Sequence, residues 1–168
     1  MNPVRIIGID PGSRVTGYGV IESSAGRQRV IAFGRICTEA GALPARLLQI
    51  QNELAAVLRE HQPHEAAVEQ VFVRRNATTA VILGQARGVA LCTLAAASLG
   101  VSEYAATQIK LAVTGSGRAE KPQVQQMVKL LLKLTAPPPS DAADALAVAL
   151  CHAQVRSTLS TIARALAR

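Results

Sequence analysis

Four acidic residues stand where a carboxylate is costly unless it has work to do. Asp10 ends the apolar run of residues 4–9 at an Asp10-Pro11-Gly12 turn, and Glu69 interrupts the strand-like stretch Ala66-Ala67-Val68-Glu69-Gln70-Val71-Phe72-Val73. An unpaired charge in either setting carries a desolvation penalty. Asp141 and Asp144 lie three residues apart just after Ser140, a spacing that returns to nearly the same face of a helix. Each has a simpler explanation: a turn cap for Asp10, a solvent-facing edge position for Glu69, and helix-dipole stabilisation for the Asp141/Asp144 pair. Yet Ala142, Ala145, Leu146, Ala149 and Leu150 give that helix a packing surface with Asp144 among its members. Four oxygen donors of this kind suit a hard divalent cation, Mg²⁺ with Mn²⁺ as a substitute. Two ions about 3.5–4 Å apart would activate water and stabilise the leaving oxygen of a phosphodiester. The expected allocation places Asp10 between the two ions, with Glu69, Asp141 and Asp144 completing them.

The basic residues carry the matching expectation. Lys and Arg number 18 against 11 Asp and Glu, a formal net charge of +7, and the pI is near 10.0. Such a field favours polyanions, although it could serve solubility alone. Its distribution is uneven: Lys110, Arg118, Lys121, Lys129 and Lys133 stand against the single acid Glu120, and no acid follows Asp144. The segment Gly115-Ser116-Gly117-Arg118-Ala119-Glu120-Lys121 fails the phosphate-loop pattern. It reads instead as a flexible basic loop entering a helix, with Lys110, Arg118 and Lys121 as phosphate contacts. Arg14, Arg74, Arg75 and Arg87 are further candidates that solvation explains equally well. Phe72 belongs to the core if its strand runs on; if the strand ends near Gln70, the ring could stack on an unpaired base.

These groups need a scaffold to converge. Residues 4–9, 16–21 and 29–37 read as three strands joined by gaps short enough for antiparallel hairpins. Gly17 and Gly19 weaken the second strand by propensity, so each is expected to admit close approach of another backbone or a ligand. Leu43, Leu47, Ile50, Leu54, Val57 and Leu58 mark an amphipathic helix that ends before Pro63. Residues 66–73 return to strand character, and the crossover makes that strand parallel to a neighbour. A helix is predicted over 79–98, a fifth strand over 101–104, and helices over 122–134 and 140–155. Residues 1–155 are thus expected to form one α/β domain. The basic tail, residues 156–168, has helical spacing and could dock, bind DNA backbone or fray.

Other signals bound the reading rather than sharpen it. No stretch of about 18 or more apolar residues lacks polar interruption, so no membrane span is expected. Residues 1–10 lack the features of a secretory signal, which points to a cytoplasmic location. Cys37, Cys92 and Cys151 have no paired spacing and read as buried thiols. His61, His64 and His152 are scattered, so the metal argument rests on oxygen ligands.

The motifs, taken together and in order, resemble the bacterial Holliday-junction resolvase family RuvC, the crossover junction endodeoxyribonucleases. They are Gly8-Ile9-Asp10-Pro11-Gly12-Ser13 with Thr16-Gly17-Tyr18-Gly19, Glu69-Gln70-Val71-Phe72 followed by Asn76, Leu83-Gly84-Gln85-Ala86-Arg87-Gly88, and Tyr104. The series continues through Gln108-Ile109-Lys110, Gly115-Ser116-Gly117 with Ala119-Glu120-Lys121, and Asp141-Ala142-Ala143-Asp144-Ala145-Leu146-Ala147. The resemblance implies a ribonuclease-H-like fold with a five-stranded mixed sheet flanked by helices, a homodimer, and paired symmetrical cuts across a four-way DNA junction in bacterial recombination and repair. It also implies that Asp10, Glu69, Asp141 and Asp144 bind metal, that Phe72 contacts the junction, and that Lys110 and Lys121 bind DNA. RuvA and RuvB would be the branch-migration partners, and the helix over 79–98 would contribute to the dimer through Ala86, Gly88 and Ala90. Departures are modest: the approach Thr135-Ala136-Pro137-Pro138-Pro139-Ser140 is proline-rich, and the resemblance fades after Val155.

Two other functions fit parts of the chain. An ATP-binding enzyme of the sugar kinase and actin-like superfamily would share the segment from Asp10 to Gly19, but that architecture needs two lobes. A nonenzymatic nucleic-acid-binding module would explain the basic residues and leave the four acids idle.

Overall fold

The computed structural model describes residues 3–70 and 77–167. Its centre is β1 (Val4–Asp10), an apolar strand buried on both faces, as a strand flanked by neighbours and covered above and below should be. β1 pairs antiparallel with β2 (Val15–Ser24), which pairs antiparallel with β3 (Arg27–Cys37). On its other side β1 pairs parallel with β4 (Glu65–Gln70), and β4 pairs parallel with β5 (Gly100–Ala105). The sheet order is therefore β3-β2-β1-β4-β5, a mixed five-stranded sheet. Because β1 and β4 run in the same direction, Asp10 and Glu69 leave the sheet at the same edge, each one residue beyond the pair Ile9 and Val68.

Alternation assigns the two faces. Ile7 and Ile9 of β1 and Ala66 and Val68 of β4 pack with Ile50 and Leu54 of α1 (Leu43–His61) and Ala90 and Leu94 of α2 (Ala77–Ala96). Ile6, Ala67 and Tyr104 point the other way, against Ile109 of α3 (Ala106–Thr114), Val124 and Val128 of α4 (Lys121–Leu131), and Leu146 and Leu150 of α5 (Ser140–Leu166). Asp10, two residues beyond Gly8, and Glu69, two beyond Ala67, share that second face.

Several elements differ from the sequence expectation. Nothing in the periodicity announces α3, whose nine residues bury only Ile109 and Val113; its start is set locally by the Gln108 side chain, which accepts the Ala105 N–H at 3.0 Å. The last helix passes the expected end at Val155 without a break and continues to Leu166, leaving Leu159, Ile162 and Leu166 exposed. Cys37 and Cys92 are exposed, and of the three thiols only Cys151 is buried. Of the small residues expected to serve a dimer contact, Ala86 and Ala90 are buried in this chain's own core. The strand expected over 66–73 is β4 through Gln70, and its remainder lies outside the described residues.

The glycines determine how closely α5 lies on the sheet. Gly8 and Gly19 face one another across β1 and β2, as do Asp10 and Gly17. A Cβ on Gly8 would collide with the Ala145 carbonyl oxygen and sit 2.6 Å from the Ala149 nitrogen; one on Gly17 would meet the Asp141 carbonyl, 2.5 Å from its carbon; one on Gly19 would lie 2.7 Å from Leu146 Cδ2. The close approach anticipated at Gly17 and Gly19 is that of α5. Substitution Gly8→Ala is expected to destabilise the fold by at least about 1–3 kcal/mol through backbone overpacking. Urea unfolding of this variant checks the seat, because a loss near zero would mean that α5 can lift away freely.

Candidate active site

Three of the four sequence-selected acids line one cleft. Asp10 at the end of β1, Glu69 near the end of β4 and Asp144 in the second turn of α5 share a cavity of about 290 Å³ with Lys110, Lys121 and an apolar wall that includes Ile109 and Val124. Asp141, one turn earlier on α5, is partly buried beside the cleft and adds its charge to the same field. The parallel pairing of β1 and β4 supplies the first two acids, and the seat of α5 supplies the other two.

The electrostatics are those of crowded like charges with little water. Burial, followed by repulsion from Glu69 and Asp144, pushes the Asp10 carboxyl from 3.8 up to about 7, with Lys121 opposing the rise and Asp141 adding a smaller push. Glu69 is also raised, first by burial and then by Asp144, against the pull of Lys121 and Lys110. Lys121 Nζ lies 2.9 Å from Asp144 Oδ2, and that hydrogen bond is the main reason its ammonium holds its proton more tightly than usual. The lysine is largely exposed, so the pair contributes little stability; it places one mobile positive charge among the acids. Among the described residues, no three acidic, histidine or cysteine side chains form a ready metal cage.

The remaining candidates divide by location. Lys110 lines the acid cleft. Arg118 lines a separate groove along α4 with Ser116 and Gln123, and Arg14 lines another beside Arg46 and Thr38, so neither joins the acids. Arg87, on α2 across the sheet from the acids, does not line the cleft; it donates to the Glu69 carbonyl oxygen at 3.4 Å and pairs through its guanidinium with Glu103. Phe72, Arg74 and Arg75 lie outside the described residues.

Sequence reasoning missed a second polar cluster on the same face. The Tyr104 hydroxyl and His152 Nδ1 are 2.8 Å apart, His152 Nε2 is 2.8 Å from Glu65 Oε2, and Arg156 Nε donates to Glu65 Oε1 at 2.8 Å. The available signal was the period of two linking Glu65 to Ala67 and Glu69; nothing local marked His152 as its partner.

A profile of the RuvC family, crossover junction endodeoxyribonuclease RuvC, matches residues 6–152. The chain belongs to this family. A RuvC of Coxiella burnetii is 60% identical over 153 residues, covering 90% of this chain and 89% of the relative. A RuvC of Shewanella pealeana is 51% identical over 158 residues, covering 94% and 91%. Among solved structures, T. thermophilus RuvC in complex with Holliday junction substrate superposes with a TM-score of 0.83 at 35% identity, covering 89% of this chain and 93% of that one. The yeast mitochondrial Holliday junction resolvase Ydc2 gives a TM-score of 0.69 at 12% identity, covering 94% of this chain and 82% of that one, a likeness of fold alone. The ribonuclease-H-like fold expected from the resemblance is thus the observed one, and RuvC proteins are metal-dependent nucleases.

The raised pKa of Asp10 makes a signed prediction for the metal-free protein. Between its ordinary value of 3.8 and about 7, the folded state retains a proton that the unfolded state has released, so stability falls as pH rises through that window. Asp10→Asn removes this cost. In chelator the variant is expected to be more stable than the parent at about pH 8, with the gain vanishing near pH 4. Urea titrations at both pH values check this; a gain independent of pH would show that Asp10 is not strained by its ionisation.

Proposed function

We infer that the protein is a metal-dependent, structure-specific endonuclease that resolves four-way DNA junctions by paired symmetrical nicks during homologous recombination and repair. The observation that carries this reading is the delivery of Asp10, Glu69 and Asp144 into one cleft with Lys110 and Lys121, in a chain that belongs to the RuvC family.

The residues present fit a divalent cation. The acids offer only oxygen, as Mg²⁺ or Mn²⁺ requires, and the burial and then the repulsion that disfavour the charged form of Asp10 are the kind of strain a bound cation relieves. We assign Asp10, Glu69, Asp141 and Asp144 as the ligands of two ions per site. Bound there, the metal supplies polarisation of water and of the scissile phosphate, with products ending in 5′-phosphate and 3′-hydroxyl groups. Lys110 and Lys121 hold the DNA phosphates at the mouth of the cleft, and Lys121 can exchange its bond with Asp144 for one to the backbone. Arg118 and Arg14 would meet the backbone further along, and Phe72, Arg74 and Arg75 are proposed to meet the junction itself. Asp10→Asn, Glu69→Gln, Asp141→Asn and Asp144→Asn are each expected to bind a mobile four-way junction in chelator like the parent, while cleavage in Mg²⁺ falls by on the order of a hundredfold or more. Gel assays of both properties check the assignment, and full cleavage by any of these variants would remove that residue from it.

Two nicks at opposed positions call for two sites held by symmetry, and α2 offers the surface. Among the described residues α2 alone has the length and hydropathy of a membrane span, yet most of it is not buried within the chain. Val81 is 60% exposed, and a Cβ on Gly84 or Gly88, one turn apart, would meet nothing within 4 Å. Small residues in such a row let a second helix approach closely. We assign this face to a homodimer rather than to a bilayer. The family resemblance further suggests a bacterial cytoplasmic location and RuvA and RuvB as partners. Sedimentation is expected to give the mass of a dimer for the parent and a concentration-dependent shift towards monomer for Val81→Glu; an unchanged dimer would place the contact elsewhere.

A further inference from the structure

α5 is held to the two halves of the sheet in different ways. Over β1 and β2 it rests on Gly8, Gly17 and Gly19 through its own backbone at Asp141, Ala145 and Ala149 and through the Leu146 side chain, a close steric contact with no side-chain hydrogen bond among the described residues. Such packing sets how near the helix lies, but it is non-directional and aligns the helix less strictly than hydrogen bonds do. Towards β4 and β5 the connection is polar. Glu65 uses both carboxylate oxygens, one towards His152 and one for Arg156, and the Tyr104 hydroxyl meets the other ring nitrogen of His152, all at 2.8 Å. With the hydroxyl donating to Nδ1, Nε2–H donates to the carboxylate, and every position of the imidazole is used. Tyr104 and His152 are both buried, at 8% exposure. Burial alone would push the Glu65 carboxyl up, but its bonds from His152 and Arg156 outweigh this and hold it below the ordinary range.

The placement of this cluster ties it to the acids. Glu65 and Glu69 lie on one face of β4, and Tyr104 is the cross-strand neighbour of Glu69 on β5. His152 stands eight residues after Asp144 on the same helix, about 12 Å along its axis. Hydrogen bonds weaken steeply when misaligned, so this cluster fixes the rotation and axial position of α5 relative to β4. Glu69 comes from β4, whereas Asp141 and Asp144 come from α5.

We propose that Glu65, Tyr104, His152 and Arg156 form a positioning clamp that sets the spacing of Asp144 and Asp141 from Glu69, and thereby the affinity of the site for divalent cations. None of the four lines the acid cleft; they act through the helix. The proposal rests on the four-acid reading given above.

The test uses the full-length protein and two mild variants, Tyr104→Phe, which removes one hydroxyl, and Glu65→Gln, which removes the charge. Three quantities are measured: Mn²⁺ affinity without DNA by calorimetry, junction affinity in chelator, and the Mg²⁺ dependence of cleavage. Each variant is expected to bind Mn²⁺ more weakly by on the order of tenfold and to need correspondingly more Mg²⁺ for half-maximal cleavage. Saturating Mg²⁺ is expected to restore most of the plateau rate, with junction affinity in chelator unchanged. A network that served only the stability of the fold would lower the melting temperature and leave the metal dependence alone, and that result overturns the clamp. If the parent itself binds no Mn²⁺, the four-acid reading falls, and the clamp falls with it.

Discussion

The site depends on how near one helix can come to one sheet. An α-helix ordinarily packs on a sheet with side chains as spacers, which keeps its backbone well away from the strands. Here Gly8, Gly17 and Gly19 remove the spacers from below, while Ala145 and Ala149 remove them from above. The helix therefore lies almost on the strands, and Asp144 reaches the cleft that already holds Asp10 and Glu69. Larger residues on either side of this contact would still permit an α/β sandwich, but one whose acids stood apart. The glycines, although chemically inert, are as much a part of the site as the carboxylates.

A second constraint is the contrast between local and overall charge. The protein as a whole carries a formal +7, whereas its cleft buries Asp10 beside other acids, and that burial, then repulsion from Glu69 and Asp144, pushes its carboxyl up to about 7. Long-range attraction draws in a polyanion, and the short-range field of the cleft favours cations over phosphate. Lys110 and Lys121 sit at the boundary between these two fields, where a phosphate must be reconciled with the acids. Lys121 already occupies that position by bonding to Asp144.

Much of this arrangement was legible from local pattern. An acid at the end of an apolar strand, another inside an apolar strand and a pair near a helix start each pay a cost that a shared function explains, and Asp10, Glu69 and Asp144 do converge. Gly17 and Gly19 announced a close approach without saying of what. Features settled by contacts between distant segments were not readable. The short α3 has too few core positions to show a period, and Cys37 is exposed because it ends β3, the outer strand of the sheet. α5 runs on past Val155 because no glycine or proline follows Pro139 to stop it; the fading of a family pattern there is no physical breaker. The bonding of His152 to Glu65 and to Tyr104 joins three separate elements, none of which carries a local trace of the others.

The parallel pairing of β1 with β4, and the return of α5 over both, have a consequence for the protein while it is being made. The β1–β2 hairpin needs only neighbouring residues and can form as soon as it leaves the ribosome, taking Asp10 with it. Glu69 waits for the crossover through α1, and Asp141 and Asp144 wait until nearly the whole chain has emerged and the last helix has settled on its seat. Non-local closure of this kind is slow relative to hairpin formation. A chain without its last helix therefore lacks both Asp141 and Asp144, and the cleft is complete only once that helix is seated.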